Sequence, residues 1–205
     1  MTTYPLTMPS HTGIRSVSLR ATNAVAYDRS PFTFAGQAQA SAGQMWEADV
    51  SLPPMKRADA EVWIAWLTSL RGQYGTFLMG DPSAATPRGL GNGTPLVNGA
   101  GQTGDTLNID GCGANKTNYL RSGDYIQLGA ASSATLHKVL EDVSTDGSGQ
   151  ATLTLWPHIR TAPANNSTVV TSSAVGNFRL SSNSAEWSIS EASIYGINFS
   201  AMEAV

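Results

Sequence analysis

The chain has 205 residues, a net charge of −3, a single cysteine, 41% apolar residues and only 13% charged ones, where soluble domains average about 25% charged. That length supports one large domain or two small ones around a true hydrophobic core, without a disulfide or metal staple. Lone Cys112 excludes an intrachain disulfide and a thiolate metal site, and Lys and Arg residues scattered without runs argue against a nucleic-acid-binding face.

The N-terminal Met1-Thr2-Thr3-Tyr4-Pro5 has neither a basic region nor an apolar stretch, so no secretory signal is expected. No apolar run reaches ~18 residues, so no membrane span is expected either. From Gly13 to Leu19, Ile14, Val17 and Leu19 suit a short strand. Val25 to Gln39 reads as two extended pieces broken near Ser30-Pro31. Gln44 to Leu52 alternates strictly, with Trp46, Ala48, Val50 and Leu52 on one face and Met45, Glu47, Asp49 and Ser51 on the other. That period marks a strand buried on one side, and residues 13–52 are predicted as antiparallel strands.

Pro53-Pro54 ends the strand, and a helix is predicted over 55–71 with Gly72 as its C′ glycine. Val62, Trp63, Trp66, Leu67 and Leu70 fall within an arc of ~140° at 100° per residue. Such a stripe is core packing, and the structural core is predicted to gather Trp46, Val62, Trp63, Trp66, Leu67, Leu70 and Phe77. The last of these lies in the strand Tyr74–Met79, which ends at Gly80-Asp81-Pro82.

Residues 83–105 then turn to glycine and proline, which is linker and turn chemistry. Strands resume at Thr106–Ile109, Tyr125–Leu128, Leu136–Val143 and Ala151–Trp156, with Asp146-Gly147 as a hairpin turn before the last. After an irregular 162–166, three short strands close the chain: Asn177–Leu180, Glu186–Ser190 and Ile194–Phe199. The expected fold is mainly β, an antiparallel sandwich or barrel with one flanking helix. Residues 1–82 and 174–205 form that domain, and 83–173 form a small inserted β-barrel.

No constellation of residues predicts an enzyme. Gly89-Leu-Gly91-Asn-Gly93 lacks the preceding strand and following helix that a phosphate-binding loop requires. His11, His137 and His158 lack metal-ligand spacing, and His137 is expected at the surface beside Glu141 or Asp142. Glu47/Asp49 and Glu141/Asp142 lie on polar strand faces or beside a turn; a carboxylate pair for glycoside hydrolysis need only be close in space, so sequence spacing leaves that reading open. No Gly-x-Ser-x-Gly elbow is present. Cys112, between two glycines, reads as a small packing residue. The sequons at Asn115 and Asn198 carry no weight without a secretory signal. No cofactor or metal is expected.

Two stretches carry a family resemblance. One is Gln44-Met45-Trp46-Glu47-Ala48-Asp49-Val50-Ser51-Leu52-Pro53-Pro54-Met55. The other, beyond the Trp-rich helix, is Leu70-Arg71-Gly72-Gln73-Tyr74-Gly75-Thr76-Phe77-Leu78-Met79-Gly80-Asp81-Pro82. Together they resemble the distal tail proteins and related minor tail proteins of siphophages over about residues 13–82. Over the insert the likeness is looser, resting on Leu120-Arg-Ser-Gly-Asp-Tyr-Ile-Gln127, His137-Lys-Val139 and Leu155-Trp-Pro157, and it implies for 83–173 a second domain of the kind some members carry, an oligonucleotide/oligosaccharide-type barrel. The resemblance implies a virion protein made in the host cytoplasm that forms a homo-oligomeric ring, usually a hexamer, around a DNA channel. The ring joins the tail tube above to a tip, hub or fibre protein below, and DNA passes without specific binding. The alternative is a carbohydrate- or receptor-binding tail-tip module acting through the insert, for which Tyr119, Tyr125 and Trp156 would be the stacking platform; core packing is the competing and favoured reading of each. A third reading, a glycan hydrolase, has no visible constellation.

Overall fold

The computed structural model describes residues 2–10 and 13–205; His11 lies outside the described residues. Among these the protein is mainly β, with antiparallel sheets and one α-helix. In chain order the strands are β1 Leu6–Thr7, β2 Ser16–Arg29, β3 Gly36–Ser51, β4 Met55–Lys56, β5 Thr76–Met79, β6 Leu96–Val97 and β7 Gly104–Asp110. They continue with β8 Tyr125–Leu128, β9 Thr135–Val139, β10 Ala151–Ile159, β11 Val169–Val170, β12 Gly176–Leu180, β13 Trp187–Ile189 and β14 Ile194–Glu203. Helix α1 is Arg57–Ser69.

An eight-stranded sheet runs β1-β5-β12-β14-β3-β2, with β13 and β4 attached to the start of β14. It is antiparallel except where β1 lies parallel to β5. The second sheet, β11-β8-β9-β10-β7-β6, comes entirely from the insert. A bridge between Leu96 and Thr168 brings its two ends together, so that the sheet is nearly barrel-shaped. Alternation explains both: the inward residues of β10 are Ala151, Leu153, Leu155, Pro157 and Ile159, with the intervening positions more exposed. That is the period-two burial of a strand with one face on a core.

The helix begins at Arg57, because Met55 and Lys56 are drawn into pairing with Tyr195 and Ile194. Its buried residues are Ala60, Trp63, Ile64, Trp66 and Leu67, with Leu70 at its C-terminal cap. Val62 is 44% exposed, so its predicted place in the core is corrected. At 100° per residue the buried arc is rotated by roughly 50° from the predicted one, losing Val62 at one margin and gaining Ala60 and Ile64 at the other. Two large indoles decide this. Trp63 and Trp66 stand edge-on to each other at 5.7 Å, and Trp66 packs against Phe77 at 5.0 Å and Phe199 at 5.7 Å. The helix ends with Arg71 already left-handed at φ 54° and Gly72 following at φ 68°. Arg71, and not Gly72, therefore occupies the C′ position.

The insert has its own core of Val97, Leu107, Ile109, Tyr119, Leu120, Ile126, Leu153 and their neighbours. The boundary at 83–173 divides the sheets but not the cores, since Tyr125 and Leu136 are buried in the main cluster with Trp46 and Phe178. The chain is clamped as it enters the barrel by Asp124, only 3% exposed. Its carboxylate accepts from the backbone N–H of Arg88 (2.6 Å), Gly89 (3.0 Å) and Arg121 (2.8 Å). Gly89 passes so close to the 118–120 backbone that a Cβ there would sit 2.6 Å from the Tyr119 carbonyl oxygen. The glycine-rich segment thus serves close packing. Asp124→Ala strands three donors under a buried carboxylate site and should destabilise the protein by roughly 2–3 kcal/mol in urea unfolding. A loss below about 0.5 kcal/mol would mean the segment is held by other contacts.

Candidate interaction surface

The most distinctive surface is built by β2 and β3. Their lower halves belong to the large sheet, where Val17, Leu19 and Ala21 pair with Val50, Ala48 and Trp46. The register then shifts between Asn23 and Val25. Beyond that irregularity the two strands leave the sheet as a ribbon of five paired positions, Val25–Arg29 against Gly36–Ala40. At ~3.4 Å per residue this arm reaches about 17 Å, and its turn extends it further. Such bulges bend a strand and increase its twist, re-aiming the residues beyond them.

Every residue of the ribbon from Val25 to Arg29 and from Gly36 to Ala40 is exposed. Large apolar side chains are among them and in the turn that joins the strands: Val25 is 53% exposed, Tyr27 65%, Phe34 65% and Phe32 91%. Local contacts hold the tip in shape. Ser30 N donates to the Ala35 carbonyl (2.9 Å), and the Arg29 guanidinium lies 4.6 Å from the Phe34 ring centroid. The Tyr27 ring crosses Gly36 so closely that a Cβ there would fall 2.3 Å from its Oη. A two-stranded ribbon standing alone is at best marginally stable in water. Among the described residues both edges of this ribbon are unpaired and its aromatics are uncovered, the features by which an interaction surface is recognised.

The root of the arm is fixed where the two sheets meet. Trp46 stands edge-on to Trp156 at 4.5 Å and packs on Tyr125 at 5.9 Å, while its Nε1 donates to the Leu136 carbonyl (2.9 Å). Trp156 Nε1 donates to Asn23 Oδ1 at the base of the arm (2.8 Å). Around this aromatic knot lies a polar latch. Arg160 of the 83–173 insert grips Glu203 through two bonds of 3.0 and 3.1 Å and donates to the Gln44 carbonyl. Glu203 also accepts from the Trp46 N–H, and Gln44 Oε1 accepts from the His158 N–H. Trp46 is at the same time part of the main core, together with Phe178 and Ala201.

His137 sits inside the junction at 2% exposure, not on the surface beside Glu141 or Asp142 as expected from sequence. Its Nδ1–H donates to the Pro157 carbonyl (2.7 Å), and Nε2 accepts from the Thr135 hydroxyl (2.9 Å). Both nitrogens are therefore satisfied in the neutral ring. Burial is the main cause that lowers its pKa below the ordinary 6.5, against the opposing pull of the Pro157 carbonyl and Glu203; Arg160 and His158 lower it further. The unfolded chain binds that proton more readily than the folded one, so this histidine's contribution to stability is full above about pH 6.5 and declines as pH falls through the lowered folded pKa. A His137→Gln variant should show a flatter stability profile between pH 7 and 5 than the parent. Parallel profiles would locate any acid sensitivity elsewhere.

Burial decides between the two readings of Tyr119, Tyr125 and Trp156 in favour of packing. Tyr119 is fully buried, its hydroxyl donating to the Asn92 carbonyl (2.8 Å), and burial raises its pKa. Tyr125 is 6% exposed, and Trp156 is half-buried in the aromatic knot. The carboxylates weighed for catalysis each have a partner, Asp49 and Glu47 sharing Arg20. Asp49 bonds Arg20 and accepts from Ser200 (2.5 Å), Glu47 pairs with Arg20, Glu141 accepts from Thr154, and Asp142 accepts from the Ser122 N–H. Cys112 is buried, and its thiol pKa is raised chiefly by that burial. Among the described residues no group of three or more His, Cys, Asp or Glu could hold a metal ion, and no helix is long and apolar enough to cross a membrane.

The arm is visible in the sequence only as two extended pieces around Ser30-Pro31; that they join and leave the sheet comes from the register. Likewise nothing local marks Arg160, Gln44 and Glu203 as partners, since they lie 43 to 116 positions apart. No protein-family model matches the chain, and no curated protein matches it.

Proposed function

We propose that this chain is a structural virion subunit that assembles with its own copies into a ring at the distal end of a long, non-contractile phage tail. The ring, a hexamer in this reading, joins the tail tube to the tip, hub or fibre complex around the DNA channel and performs no chemistry. The observation that carries the proposal is the arm: a rigidly rooted ribbon with Tyr27, Phe32 and Phe34 uncovered has no use in a solitary globule and a direct one in an assembly. A heterologous contact, in which one surface of a subunit meets a different surface of the next, closes into a ring when its rotation completes a circle. The resemblance of residues 13–82 to siphophage distal tail proteins supports the location. The scarcity of Lys and Arg supports a channel in which DNA slides, since each phosphate contact adds affinity.

The test is assembly. Purified protein is expected to sediment as a defined ring and to show one in negative stain. Replacing residues 26–39 by Asn-Gly, which joins the paired Val25 and Ala40 through a two-residue hairpin loop, should leave a folded monomer. A monodisperse parent protein that stays monomeric and never joins purified tails would overturn the proposal.

A further inference from the structure

If the arm is an assembly device, as just proposed, its receiving surface should be found on the same chain, and one site is laid out for it. Strand β13 is a short flap that, among the described residues, pairs only with β14. In register, Trp187 opposes Ile197 and Ile189 opposes Tyr195. Directly opposed residues on antiparallel strands point to the same face. Ile197 and Tyr195 are buried in the main core, yet Trp187 is 39% exposed and Ile189 57%. The apolar row of the core thus runs outward across β13 and ends uncovered, beside a free strand edge.

The arm cannot reach this flap within its own molecule. Strand β14 meets β13 and β4 at its Ile194 end and β3 at its Glu203 end. The arm leaves β3 beyond that second end. Arm and flap therefore lie at opposite ends of the sheet, separated by about 40 Å along the strand direction. Each has what the other lacks. The arm offers aromatic side chains and two free ribbon edges, while the flap offers an open apolar row and one free edge. Exposed Glu186 and Glu191 flank the flap, and exposed Arg29 lies at the end of the arm.

We infer that the arm of one copy docks onto the β13 flap of a second copy, by strand addition along the flap edge with Tyr27, Phe32 and Phe34 over Trp187 and Ile189. Strand addition draws affinity from main-chain hydrogen bonds and specificity from alternate side chains. The contact is head-to-tail, so each subunit gives one arm and receives one.

Two defective proteins test this together: the variant with residues 26–39 replaced by Asn-Gly, and Trp187→Ser/Ile189→Ser, whose changes fall on exposed positions and whose folding is checked by thermal melting against the parent. Each alone should associate at least about 30-fold more weakly than the parent by sedimentation velocity. Mixed, they should form a 1:1 dimer that grows no further, because one intact arm meets one intact flap and nothing remains to continue the chain. A flap variant that assembles like the parent while the arm variant does not would remove the flap from the interface and leave the ring reading standing. A mixture that stays monomeric would overturn the pairing of these two surfaces. A parent protein that never assembles would instead bring down the ring reading itself.

Discussion

Replacing Trp63 with alanine is expected to lower the stability of the protein by about 4 kcal/mol, the range for removing a fully buried large aromatic side chain. For a chain of this length that corresponds to a fall in Tm of roughly 8–16 °C. Trp63 has no exposed surface, stands edge-on to Trp66 and faces Phe199 at 6.4 Å, so it occupies the centre of the contact between α1 and the large sheet. Small neighbours cannot close the space it leaves, because the surrounding rings are held by one another. The control is Val62→Ala on the same helix, which should cost less than about 0.5 kcal/mol because that side chain reaches solvent. Equal losses at the two positions would return the helix to the orientation read from its sequence.

Glu203→Ala should cost about 3 kcal/mol, measured by urea unfolding at neutral pH. Glu203 is 5% exposed and receives two bonds from Arg160 and one from the Trp46 N–H. Removing one partner of a buried pair leaves the other charge uncompensated, which is far more damaging than losing a surface ion pair. The Arg160 side chain keeps 22% of its exposure, so water offsets part of that penalty and places the figure at the lower end of the buried range. Glu203→Gln retains the shape and acceptor oxygen and should lose less. In a double-mutant cycle Arg160→Ala should add little once Glu203 is gone, since the two residues act as one latch. Full additivity would show that the junction is held by the aromatic knot alone. Arg20 and its exposed partners Asp49 and Glu47 stand in contrast, because that surface cluster is screened by solvent and worth little.

The junction also explains how a displaced ribbon can be aimed. Asn23 and Gln44, the last paired residues before the register shift, are held by Trp156, His158 and Arg160 of the insert. The barrel therefore braces the root of the arm, giving the 83–173 segment a mechanical role in the proposed assembly that requires no ligand. Weakening Glu203 or Trp46 should loosen the arm as well as the junction.

Alternation from Gln44 to Leu52 is sufficient to predict a half-buried strand, and Pro53-Pro54 with the Trp-rich stripe after it is sufficient for a helix. The glycine- and proline-rich stretch after Asp81 marks where one sheet gives way to another. These are local signals, since period, turn chemistry and helix punctuation depend on residues within a few positions of one another. The helix face is not legible in the same way, because Val62 and Ile64 are equally apolar neighbours and the choice depends on how Trp66 meets Phe77 and Phe199. His137 is misplaced by local reading for the same reason: its nearby carboxylates are visible in sequence, whereas Pro157, its real partner, lies twenty positions away.

By itself, then, the chain's order of residues determined a mainly β protein with one helix, an inserted β segment and little surface charge. Only the tertiary structure decided that β2 and β3 outgrow their sheet, that the insert's Arg160 reaches Glu203, and that Tyr119 and Tyr125 face inward. The reason is physical: strand alternation reports that one face is buried, but which distant strand buries it, and where pairing ends and a free ribbon begins, is set by register between segments far apart in the chain.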